Sequence, residues 1–128
     1  MAITVTPMRL TNSNTGYAPM AATGTSAVAG TAETFEFAFP AKDETIHIII
    51  TNGSVGPVSA KLVANPGKGF NPPTLNLAIG KMGVFRIESG YVKDSNGKIS
   101  LVVTPAEQNT VSGSGVKVYS VYSGVVTR

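Results

Sequence analysis

From residue 34 onward, apolar and polar residues alternate with the period of two expected for strands that bury one face. Phe35, Phe37 and Phe39 alternate with Thr34, Glu36 and Ala38, which sets three rings on one side before Pro40 ends the run. In Thr45 to Thr51, Ile46, Ile48 and Ile50 lie opposite Thr45, His47 and Ile49, and this is the most strongly β-forming stretch of the chain. Asn52-Gly53, a favoured turn dipeptide, follows it. Val58, Ala60 and Leu62 make the next row, and a Pro- and Gly-rich loop covers residues 65–73. Leu75, Leu77 and Ile79 alternate again before Gly80. Met82, Val84 and Arg86 then share one face, with Phe85 and Ile87 on the other. After the turn Asp94-Ser95-Asn96-Gly97 come a strand over Ile99 to Val103, a polar connection over 105–114, and a last strand over Val116 to Val126.

Seven to eight strands spaced about ten residues apart, with turn chemistry between them, predict an all-β fold: an antiparallel β-sandwich or small barrel, immunoglobulin-like or jelly-roll-like. No stretch repeats apolar residues at helical spacing over three turns. Residues 1–32 have a different texture. A short alternating run, Ile3-Thr4-Val5, is followed by Pro7 and by small, Ala-rich sequence with little to fill a core. The expected organisation is an extended N-terminal arm over 1–32 and a β-sandwich domain over 33–128. Such an arm either reaches a neighbouring molecule or wraps its own sandwich, with Ile3 and Val5 in its first strand. The two alternatives remain open at this point.

Composition narrows the function. Charged residues are 13% of the chain, about half the globular average, while 42% are hydrophobic. That balance favours a folded domain whose surface is coated with Thr, Ser, Asn and Gly. The net charge of +3 comes from scattered residues, without the patch or stripe that displaces counterions from nucleic acid. No nucleic-acid partner is expected. No apolar run approaches the roughly 20 residues that span a bilayer, and Pro19, Gly24 and Gly30 interrupt the Ala-rich segment that might pass for a leader. No membrane role is expected, and the absence of cysteine leans towards intracellular synthesis.

Chemistry-bearing residues are few. His47 is the single histidine, whereas a metal or catalytic site needs partners for it. Its expected place is an outer or half-buried strand face. The seven carboxylates show no spacing of a calcium loop, and Glu36 and Asp94 fall on a polar strand face and in a turn. Gly67-Lys68-Gly69 lacks the remainder of a phosphate loop. No serine sits in a nucleophile elbow. No enzyme activity, cofactor or metal is therefore expected.

The overall layout is more informative. Ile3-Thr4-Val5-Thr6-Pro7, Asn14-Thr15-Gly16-Tyr17-Ala18-Pro19 and Ile48-Ile49-Ile50-Thr51-Asn52-Gly53-Ser54 resemble small virion proteins of tailed phages. Val58-Ser59-Ala60-Lys61-Leu62, the turn Asn96-Gly97-Lys98 and the Val-rich closing strand add to the likeness. It covers most of the chain as texture, and the longer Pro-rich loop over 65–73 departs from it. The resemblance implies a sandwich acting as a head decoration (cement) protein, bound to the major capsid protein or other virion subunits on the phage head surface. It also implies stabilisation of that lattice, with a homo-oligomer among the possible forms. The alternatives are a head–tail connector or tail component and, in another class, a carbohydrate- or receptor-binding module. The contact is expected from Ile3, Val5, Pro7, Tyr17 and Pro19 of the arm, and from Lys68 and Phe70 of the long loop.

Overall fold

The computed structural model describes residues 2–9, 22–23, 29–38, 45–53, 56–64, 71–88, 92, 94, 96–106 and 115–123. Ten strands run through them: β1 (Ile3–Val5), β2 (Met8–Arg9), β3 (Ala22–Thr23), β4 (Glu33–Ala38), β5 (Thr45–Thr51), β6 (Val58–Leu62), β7 (Thr74–Leu77), β8 (Met82–Glu88), β9 (Lys98–Pro105) and β10 (Lys117–Ser123). Eight have three residues or more, in keeping with the seven to eight expected. They form two sheets, β1-β4-β9-β6-β7 and β2-β10-β5-β8, with β3 also paired to β10. No helix occurs among the described residues, and the sheets form an open sandwich rather than a closed barrel.

The alternation sets which side chains meet between the sheets. Phe35 and Phe37 of β4, Ile99, Leu101 and Val103 of β9, and Ile48 and Ile50 of β5 are wholly buried, as are Val118 of β10 and Val116 just before it. Val58, Ala60 and Leu62 of β6 and Phe85 of β8 complete the layer. Burying each large side chain contributes roughly 1.5–3 kcal/mol. Phe39 lies outside the described residues.

The arm is where the structure decides between the two alternatives. β1 lies parallel to β4, with Ile3 opposite Phe35 and Val5 opposite Phe37, and Val5 is 2% exposed. β2 runs parallel to β10, and β3 antiparallel to it. The described parts of residues 1–32 thus follow the second of the two alternatives: they wrap their own sandwich and supply strands to both sheets. The reason is the phase of Ile3-Thr4-Val5, which continues the inward row of Phe35 and Phe37. A boundary at residue 32 does not separate the described arm strands from the domain, and the sandwich is mixed, with two parallel pairings.

Two connections take their form from partners distant in sequence. Asn52-Gly53 does not close a hairpin: β5 pairs with β10 and β8, while β6 pairs with β9 and β7, so the dipeptide stands where the chain crosses between sheets. The run Leu75-Leu77-Ile79 stops at Leu77, and Ile79, half exposed, enters a turn completed by Gly80 at φ 77°. Asn52 accounts for both. It is 4% exposed, and its Nδ2 donates to the carbonyls of Gly56 (2.9 Å), Leu77 (3.0 Å) and Ala78 (3.2 Å). Its backbone N–H donates to Lys81 O, and its own carbonyl accepts from Gly80 N–H. One side chain therefore stitches the end of β5 to the β7–β8 turn. The turn at 94–97 forms as expected, with Asp94 Oδ1 accepting from the N–H groups of Asn96 (2.8 Å) and Lys98 (3.0 Å), and Gly97 at φ 76°.

Candidate interaction surface

The outward face of the second sheet is apolar for a solvated surface. Cross-strand pairing places Val84, Ile49 and Tyr119 in one row across β8, β5 and β10. Met82, Thr51 and Lys117 form the row on one side of it. Arg86, His47, Val121 and Met8 of β2 form the row on the other. Met82 is 63% and Val84 45% exposed, while Ile49, Tyr119, Val121 and Met8 are half-buried. His47 thus sits half-buried on an outer face, between Arg86 and Val121.

This surface has a signature in the sequence. A strand with one solvated face needs only one apolar phase, yet β8 carries Met82 and Val84 in one phase and Phe85 and Ile87 in the other. β5 and β10 do the same through Ile49, Tyr119 and Val121. Apolar residues in both phases mark a strand whose second face also awaits cover.

The outward face of the first sheet is different. It holds a groove of about 470 Å³ bounded by Ser59, Lys61, Asn71, Thr74 and Thr104, with Val63, Pro72 and Val102 as its apolar walls. A second hollow of about 440 Å³ shares Ser59 and Thr104 and continues past Asn76 to Pro105. No aromatic ring is among the described residues that line either.

Other chemistry stays dispersed. Glu36 pairs with Lys98 at 3.2 Å on an exposed strand face, and the Asp94 carboxylate is taken up by its turn. Among the described residues no three of His, Cys, Asp and Glu gather where they could hold a metal ion. Two buried polar atoms lack a partner there, Asn52 Oδ1 and Ser120 Oγ. Ser120 lies in the inward phase of β10 opposite Ile48, among core residues rather than on a site.

The residues expected to make the contact divide sharply. Val5 belongs to the core and is not available to a partner, and Ile3 packs half-buried against that core. Pro7 is half-buried between β1 and β2. Tyr17, Pro19, Lys68 and Phe70 lie outside the described residues. No protein-family model matches the chain, and no curated protein matches it in sequence.

Proposed function

We propose that this chain is a structural virion protein of a tailed phage, a head decoration protein that docks on the outer capsid lattice and stabilises it. The observation that carries this reading is the apolar outward face of β8, β5 and β10, with the row Val84–Ile49–Tyr119 at its centre. Half-exposed aliphatic side chains around a tyrosine suit a protein surface, where burial releases water and the phenol can still find a polar partner. The sparse charge of the chain and its likeness to small virion proteins support the same reading. Because the arm contributes to the core, the contact is assigned to this sheet face rather than to Ile3 and Val5.

A ligand that binds only the assembled lattice stabilises it by mass action, by about 2.7 kcal/mol at a free concentration one hundred times its Kd. The test is cosedimentation with empty heads of the phage that encodes the chain, using the intact protein beside an Ile49→Thr/Tyr119→Thr variant. Both replacements put a residue of high strand propensity in place and remove the centre of the apolar face. The expected result is saturable binding at a fixed ratio to capsid subunits, weakened at least about tenfold in the variant at unchanged circular dichroism. Absence of binding by the intact protein refutes the head assignment and leaves connector, tail and glycan partners to be assayed in turn.

A further inference from the structure

Among the described residues the two sheets end on five edge strands, and one is unlike the rest. β1 has three residues, β7 four and follows Pro72-Pro73, and β2 and β3 two each. Short edges and flanking prolines are the ordinary means by which sheets avoid pairing with other chains. β8 has seven residues, no proline, and an unbroken register against β5 from Met82 to Glu88, so no bulge turns it aside.

The direction of its backbone groups follows from the turn beside it. Asn52 N–H donates to Lys81 O, which makes 52–81 a hydrogen-bonded position of the β5–β8 ladder. Such positions alternate along an antiparallel pair. The N–H and C=O groups of Gly83 and Phe85 therefore point to β5, and those of Met82, Val84 and Arg86 point to the open edge. The same three residues carry outward, exposed side chains. We infer that β8 is a dimerisation edge, which pairs antiparallel with β8 of a second copy and joins the two second sheets into one.

A second copy fits this edge on three counts. Pairing about a twofold axis at Phe85 overlaps the whole strand and makes every hydrogen bond twice, once from each copy. It sets Val84 across from the partner copy's Arg86, so that no like charges face one another and the arginine stem covers the valine. Among the described strands it consumes the one long edge and leaves only short ones, so association closes at two. The contact is small: seven residues span about 23 Å, and the area falls below the roughly 800 Å² per partner of a standard interface. A dimer that dissociates on dilution through the micromolar range is the consequence. The inference does not depend on the capsid reading, because it concerns the isolated protein.

The test is molar mass by light scattering and sedimentation over about 1–500 μM, a range that brackets weak interfaces of this size, for the intact chain, Val84→Pro and Val84→Lys. Proline at 84 removes an N–H that faces the edge and none that faces β5, so the monomer keeps its ladder. Lysine is the residue by which natural edges refuse a partner, and it keeps the test open should the proline variant fail to fold. The expected result is a rise from 13.2 kDa towards twice that mass in the intact chain, and monomer throughout in whichever variant retains its circular dichroism. An intact chain that stays monomeric over the range, or a dimer that survives Val84→Lys, overturns the inference.

Discussion

Asn52 offers the sharpest test of how the two sheets are held together. Three carbonyl oxygens, from Gly56, Leu77 and Ala78, lie within 3.2 Å of its Nδ2, and the residue is 4% exposed. An amide nitrogen has two protons, so the three contacts amount to two net hydrogen bonds. The orientation is unambiguous, since a flipped amide would set an oxygen against three carbonyls. Replacement by alanine removes about 1 kcal/mol for each bond and leaves desolvated carbonyls behind, while it relieves the buried, unpartnered Oδ1. The balance is a loss of about 2–3 kcal/mol, or roughly 10 °C in Tm for a chain of this size.

Asn52→Asp is isosteric and decides the mechanism. At pH 7 the new carboxyl must either ionise beside three carbonyl oxygens or stay protonated about three units above its ordinary value near 3.9. The second course costs about 4 kcal/mol. Burial raises the folded-state pKa. Below about pH 3.9 both folded and unfolded chains are protonated; above it the unfolded chain releases a proton that the folded site retains. Stability relative to the parent chain therefore falls as pH rises from about 4 towards the folded value, and recovers on acidification. Urea unfolding of parent, alanine and aspartate variants between pH 4 and 7 measures it. An alanine variant within about 0.5 kcal/mol of the parent, or an aspartate variant whose deficit does not change with pH, would refute the argument.

Other outcomes follow from single contacts. Gly115 has φ 68°, and a Cβ there would lie 3.1 Å from Gly53 Cα, whereas Gly97 has φ 76° with open space around it. Gly115→Ala should cost about 2–3 kcal/mol and Gly97→Ala only about 1–2, a difference visible in paired thermal melts. Val5→Ala removes two buried methyl groups and should cost about 2–3 kcal/mol in urea unfolding, which a free arm would not. For the same reason deletion of residues 1–9 should lower stability outright. A truncation of the arm thus cannot serve as a binding test, and surface substitutions on β5 and β10 are needed instead.

Much of the fold was legible because alternation is a local property. Phe35 and Phe37, Ile48 and Ile50, and the strand over Ile99 to Val103 declare their buried phase within a few residues, as the structure shows. The turn at Asp94 was equally plain, since its bonds close over four residues. What stayed hidden depends on partners distant in sequence. Ile3-Thr4-Val5 reads the same whether it pairs with its own β4 or with a neighbour, and only the sandwich's open edge decides. Asn52-Gly53 looks like a hairpin turn because nothing local reveals that the asparagine's partners lie at 77 and 78. The apolar outward face was present in the doubled apolar phases of β5, β8 and β10, but it can be told from the core only once one phase is known to point inward.

The order of strands has a consequence for biogenesis. From β4 to β10, every connection except β6–β7 passes from one sheet to the other, so the two sheets grow side by side, and the first has all its strands by residue 105 while the second lacks β10. β10, the last of them, is the strand against which β2, β3 and β5 all pair. During synthesis β5 and β8 can meet early, but β2 and β3 wait without a strand to join until residues 117–123 have left the ribosome. Completion of the second sheet is then a late event that rests on non-local pairings, expected on the millisecond-to-second scale. Until it occurs, the apolar rows of β5 and β8 stand open to any strand nearby.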